Sequence, residues 1–92
     1  MVDQRMIDVA RERLRMFEGF DAVLHDPHAL LDLVWASRDT ADARARIAER
    51  YGVADGAADA VLWLQLTRLT EEGRQRIEDE IRSVKAFLDE HA

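Results

Sequence analysis

Between Asp3 and Leu24 the apolar residues Ile7, Ala10, Leu14, Phe17 and Leu24 fall at helical spacings with charged residues between them, and Phe20 widens the stripe. Such spacing predicts an amphipathic helix with one seam resembling that of a coiled coil, which Asp21 interrupts near its end. A second stripe of the same kind runs through Ile77, Ile81, Val84 and Leu88, on a helix expected to start at a Thr70 N-cap and to reach about Glu90. Gly73 lies in the first turns of that helix and marks either a bend or a later start.

Three shorter elements separate the two long ones. Asp26-Pro27 supplies an N-cap followed by proline at the first helical position, so the chain turns and restarts as a helix to about Ala36, with Leu30, Leu31, Val34 and Trp35 expected to be buried. Asp39 caps a third helix ending at Tyr51, with Ala43, Ile47 and Ala48 inward and Arg44, Arg46 and Arg50 outward; Gly52 closes it in the left-handed conformation. The fourth helix, Asp55 to Leu69, starts at an acid that is either its cap or in its first turn. It is apolar on nearly every side, because Ala57, Ala58, Ala60, Val61, Leu62, Trp63, Leu64, Leu66 and Leu69 cannot share one stripe. A chain of this size has few layers to offer, so the second cover is expected to be another protein chain.

With four glycines, one proline and no alternating β-branched run, the expected fold class is all-α. The long helices, about residues 3–24 and 71–90, are expected to pair as an antiparallel two-helix coiled-coil stalk. Residues 27–69 would form a small helical head, and the 92 residues one domain.

Composition narrows the function. The absence of cysteine excludes thiol catalysis, disulfides and cysteine-type zinc sites. No secretory signal is read near Met1 and no apolar run reaches membrane-spanning length, so a cytoplasmic protein without membrane attachment is expected. The formal charge of −6 is spread along the chain and argues against strong nucleic-acid binding by the chain alone. Arg5, Arg11, Arg13 and Arg15 are interleaved with Asp8 and Glu12, the pattern of a solvated face with ion pairs at helical spacing.

Candidate chemistry is sparse. His25, Asp26 and His28 cluster at a helix junction, but three groups without a fourth at readable spacing read better as a turn and cap than as a metal site. The acids Glu71, Glu72, Glu78, Asp79 and Glu80 read as a solvated helix face rather than as an acid and base pair. Neither a Gly-rich phosphate loop nor an H-E-x-x-H arrangement is present. No cofactor, no metal and no catalytic residue are expected.

The segment E-R-Y-G-V-A-D-G-A-A-D-A-V-L-W-L-Q-L-T-R-L-T, Glu49 to Thr70, resembles the A subunit of bacterial type IIA topoisomerases, DNA gyrase and topoisomerase IV. That family typically reads E-R-F-G-L-S-x-x-Q-A-x-A-I-L-x-M-R-L-x-x-L-T. Glu49, Arg50, Gly52, Ala58, Ala60, Leu62, Leu66, Leu69 and Thr70 stand at matching positions, with Tyr51 for Phe, Val53 for Leu, Val61 for Ile and Leu64 for Met. Ala10 to Phe20, A-R-E-R-L-R-M-F-E-G-F, is similar to the family's A-R-E-R-A-H-I-L-E-G-L. Ala36 to Arg44, A-S-R-D-T-A-D-A-R, is similar to its A-S-K-D-x-A-E-A-R.

The resemblance implies the coiled-coil and globular region that forms the exit gate, or C-gate, for transported DNA, with the helix matching Asp55 to Leu69 at a two-fold contact. The dimer interface it implies here comprises Ala58, Val61, Leu62, Trp63, Gln65, Leu66 and Leu69. The family's DNA-cleaving tyrosine lies upstream of the matching region, and Tyr51 falls on a family phenylalanine, so it is expected to be a packed aromatic. Ala54 and Ala57 replace a serine cap and a glutamine, Trp63 a commonly acidic position, Gln65 an arginine, and Glu71-Glu72 a Gly-Leu pair. The leading expectation is a non-catalytic homodimeric module that stands alone and modulates a type II topoisomerase, with hetero-pairing to a full-length gyrase A subunit as one route. The alternatives are a detached structural part of an ATP-hydrolysing topoisomerase reaction, including a piece of a longer subunit, and a helical adaptor that kept only the fold.

Overall fold

A computed structural model describes residues 2–92; Met1, where the reading for a secretory signal begins, lies outside the described residues. Five α-helices and one 3-10 turn follow one another: α1 (Gln4–Leu24), α2 (Pro27–Ala36), α3 (Thr40–Tyr51), α4 (Asp55–Leu62), the turn Leu66–Leu69, and α5 (Glu71–His91). No strand occurs among the described residues. No helix among them is long and apolar enough to cross a membrane.

The starts are set by side chains that satisfy the first orphan amides. Asp3, Asp26, Asp39 and Thr70 accept from the backbone N–H of Met6, Ala29, Asp42 and Gly73 at 3.0, 3.3, 2.8 and 3.0 Å. Pro27 follows its cap at the first helical position, where its missing N–H costs nothing. α4 has Ala54 at its cap and no side-chain capping bond, so Asp55 acts in its first turn. Gly52 ends α3 at φ +64°, and no other described residue has a positive φ.

α1 and α5 make the most extensive helix pair in the chain and run antiparallel. Met6 and Val9 of α1 line one groove with Val84 and Phe87 of α5, Arg13 pairs with Glu80 at 3.0 Å, and Asp21 and Leu24 line another groove with Arg74 and Glu78. The core gathers on the C-terminal half of α1, where Phe17, Phe20 and Val23 meet Ile47 of α3, Ala58 and Val61 of α4, and Ile77 of α5. Phe17 and Phe20 stack edge to face at 5.9 Å. Ile47, Ile77 and Val23 are fully buried, each contributing roughly 1.5–3 kcal/mol of apolar transfer.

α4 crosses α1 over Gly19. A Cβ added there would lie 3.6 Å from both the Ala57 Cβ and a Val61 methyl, so the small residue lets the two helices approach closely. On its other side α4 packs against α3, where Arg44 bonds Asp59 at 2.9 Å. Ala57, Ala58 and Val61 are thus covered within the same chain, by α1 on one side and α3 on the other.

Two elements depart from the sequence reading. The fourth helix stops at Leu62 and does not run on to Leu69. At 1.5 Å per residue a straight continuation would carry the chain about 10 Å further along α4, while α5 has to begin beside α1. In α2 the residues packed against the core are Leu30 and Leu33, whereas Leu31, Val34 and Trp35 are 63%, 37% and 88% exposed. α2 carries five large apolar residues in ten positions, and one face of a helix cannot hold them all.

Candidate interaction surface

The stretch from Leu62 to Thr70 holds a single charge, Arg68. Hydrogen bonds hold its backbone at both ends. Trp63 N–H donates to Asp59 O at 3.1 Å, Leu64 N–H to Val61 O at 3.1 Å, Arg68 N–H to Gln65 O at 3.0 Å and Thr70 N–H to Thr67 O at 3.4 Å. The Thr70 hydroxyl does double duty, donating to Thr67 O at 2.9 Å and accepting from Gly73 N–H at 3.0 Å. The Arg74 guanidinium donates to Leu69 O at 2.6 Å.

Gly73 is what lets this turn sit directly on the start of α5. A Cβ there would lie 2.5 Å from the Arg68 carbonyl oxygen and 2.7 Å from its Cα, both backbone atoms that cannot swing aside. The glycine therefore marks neither a bend nor a late start: α5 begins at Glu71 and Gly73 is buried in its first turn.

On this scaffold the side chains divide sharply. Ala58 and Val61 point into the chain's own core, with 0% and 2% exposure. Leu62 and Leu64 are half-buried and packed against that core, and Leu69 is half-buried. Trp63 and Leu66 face solvent, 70% and 81% exposed, with Gln65 exposed between them. Of the seven residues the resemblance places at an interface, five lie at or near the surface in one continuous turn, and two are already covered by α1 and α3.

The remaining titratable groups are placed as follows. Tyr51 is half-buried against the core, and its hydroxyl has no hydrogen-bond partner. Burial pushes its pKa up; the Arg50 guanidinium, over the ring at 5.9 Å, works against that shift, and Asp26 adds to it. A buried phenol held neutral is a poor nucleophile. His25 Nδ1 lies 2.7 Å from Asp21 O, Asp26 caps α2, and His28 is exposed. No group of three or more His, Cys, Asp or Glu side chains placed to hold a metal ion occurs among the described residues. Glu72, Asp79 and Glu80 pair with Arg76, Arg82 and Arg13 on the surface.

The sequence reading missed the outward ridge of α2. Leu31 and Trp35 are one helical turn apart on the same exposed face, with Val34 at its edge. The overfull apolar count that drew attention to α4 applies equally to α2, and there it marks residues that the chain leaves uncovered.

No protein-family model matches the chain. It is similar to the DNA gyrase A subunit of Leptospira biflexa, 28% identical over 82 residues that make up 89% of this chain and 10% of that protein. It is 30% identical to the gyrase A subunit of Clostridium acetobutylicum over 74 residues, 80% of this chain and 9% of the relative. Against the topoisomerase 4 A subunit of Staphylococcus aureus it is 28% identical over 82 residues, 89% of this chain and 10% of that subunit. The chain thus spans about a tenth of the length of the curated relatives it matches.

Proposed function

We infer the function from kinship and surface together: the chain is related to a segment of the A subunit of bacterial type IIA topoisomerases, and it carries an uncovered apolar turn at Trp63 and Leu66. Our reading is a non-catalytic, two-fold dimerisation module similar to the C-gate of gyrase A. In it α1 and α5 act as a coiled-coil stalk, and the helices between them form the head. The contact runs through Leu62, Trp63, Gln65, Leu66 and Leu69, and its likeness to the A subunit gives it a route to modulate a type II topoisomerase in the cytoplasm.

The observation that carries this reading is the exposure of Trp63 and Leu66 on a turn held to α4 and α5 by several backbone and side-chain hydrogen bonds. An ordered turn loses little entropy on docking, and a large exposed aromatic beside a leucine is the composition of an interface anchor. A two-fold contact presents the same patch on both copies, so nothing beyond a second copy is required.

Light scattering coupled to size exclusion tests it with wild type and Leu66→Asp. Because Leu66 is exposed within the chain, the substitution should leave the helical fold within about 0.5 kcal/mol of wild type. It should also convert a dimer into a folded monomer, since the contact would otherwise bury an unpaired charge. A wild-type chain that remains monomeric at micromolar concentration would overturn the reading.

A second reading, pairing of one copy with one full-length A subunit, is favoured by the extent of the match, which runs through 80–89% of this chain. Trp63 and Gln65 oppose it, because they stand where the resemblance gives an acid and an arginine. Co-expression of differently tagged chain and cognate A subunit, followed by sequential purification, is expected to yield self-pairs in excess over mixed pairs.

A further inference from the structure

We propose that Arg74, in the first turns of α5, is the positioning residue of this contact: it holds the turn that presents Leu66 to the partner and does not itself touch the partner. The inference rests on the dimer reading above and adds to it the group that prepares the surface for pairing.

The turn hangs between two anchors. At its near end α4 holds it, through Trp63 N–H to Asp59 O and Leu64 N–H to Val61 O, both at 3.1 Å. Further along, the bonds from Arg68 to Gln65 and from Thr70 to Thr67 lie within the segment itself, so they set its shape and not its place. The cap between Thr70 and Gly73 fixes only the last residue before α5. Among the described residues, the one α5 side chain that hydrogen-bonds the turn is Arg74, whose guanidinium donates to the Leu69 carbonyl at 2.6 Å. Leu66 stands between the two anchors, 81% exposed, with little packing of its own to fix it.

The choice of acceptor is the telling feature. Glu78 lies one helical turn beyond Arg74 and lines the same groove, together with Asp21 of α1. An acid and a base at that spacing are the ordinary surface pair of a helix, and on α5 Arg76 and Arg82 do pair with Glu72 and Asp79. Arg74 makes no ion pair among the described residues and gives its guanidinium to a neutral backbone carbonyl instead. A charged donor makes that bond stronger than one between neutral groups.

Arg74 also follows Gly73, whose missing Cβ leaves room for the Arg68 backbone against α5. The glycine makes the seat and the arginine clamps the turn into it. A segment ordered before docking does not have to be ordered during docking, so the clamp favours pairing without contributing a contact.

Sedimentation equilibrium of wild type, Arg74→Ala and Arg74→Lys measures pairing, and hydrogen exchange in the monomeric Leu66→Asp background reads the turn itself. Arg74 is exposed, so both variants should keep the helical fold, which circular dichroism checks. Arg74→Ala is expected to raise the dimer Kd at least fivefold. In the unpaired chain it should speed exchange of the Arg68 and Thr70 amides at least fivefold, while the core amides of Val23 and Ile47 keep their rates. Lysine retains a charged donor and should restore part of both effects.

Exchange that quickens equally in the turn and the core would mean a general loss of stability and overturn the inference. A weaker dimer with unaltered turn exchange would make Arg74 a direct contact and overturn it as well. Pairing that Leu66→Asp abolishes and Arg74→Ala leaves unchanged would overturn the inference and leave the dimer reading standing. A monomeric wild type would overturn both.

Discussion

Among single residues, Gly73 carries a heavier structural load than its sequence position announces. It lies in the first turn of α5, where glycine is intrinsically unfavourable, yet any side chain there would strike the Arg68 backbone at 2.5–2.7 Å. Gly73→Ala should therefore destabilise the chain by about 1–3 kcal/mol despite the better helix propensity of alanine. Thermal denaturation checks this, and an alanine variant as stable as wild type would show that the turn does not rest on α5 as described. The residue types were legible in the sequence where their chemistry is local. Asp26, Asp39, Gly52 and Thr70 cap as their spacing predicts, because a cap involves only a few consecutive residues. Gly73 was not legible, because its reason is a close approach that only the folded chain creates.

At the scale of elements, α3 shows how local charge supports a helix start. Asp42 accepts from the Arg38 backbone N–H at 3.0 Å and from Arg46 Nε at 3.3 Å, and these donors hold its carboxyl below the usual aspartate range, outweighing the opposing effect of burial. Unfolded, the group titrates near pH 3.9. Since its folded pKa is lower, the stability it contributes is present above about pH 4 and is lost as pH falls through the folded value. Asp42→Asn should accordingly flatten the acid side of a plot of melting temperature against pH below about pH 4, and a profile identical to wild type would contradict the pairing. The long helices were legible because their stripes repeat over many turns, and Ile77 and Val84 are buried as the period requires. The short ones were harder. α2 offers two overlapping apolar stripes, and periodicity does not choose between Leu31 with Trp35 and Leu30 with Leu33. The break after Leu62 has no glycine or proline to announce it; it follows from where α5 must start.

For the whole molecule, charge and fold bear on function together. An elongated body of 47 × 27 × 17 Å with net charge −6 has no excess of basic side chains for a phosphate backbone. The chain alone is expected neither to cleave nor to relax supercoiled DNA and to bind duplex only weakly at physiological salt. A relaxation and cleavage assay beside a binding titration checks this; covalent attachment of DNA to Tyr51, or submicromolar salt-sensitive binding, would contradict it. The surface of the molecule was legible only in part. The segment from Leu62 to Leu69 stood out by its apolar run and by resemblance to the topoisomerase A subunit, but it was read as a continuing helix and not as a turn. The inward placement of Ala58 and Val61, and the outward placement of Trp35, depend on how α3 and α4 share the flank of α1.

The central claim is that two copies meet through the turn that carries Trp63. A Trp35→Phe variant leaves Trp63 as the only tryptophan, and its emission can be followed across a dilution series while the mass is measured in parallel. The account predicts a mass near twice 10.6 kDa and blue-shifted emission at high concentration, with both falling to monomer and water-exposed values over the same range. A dimer in which Trp63 emits as a water-exposed indole at every concentration would contradict it.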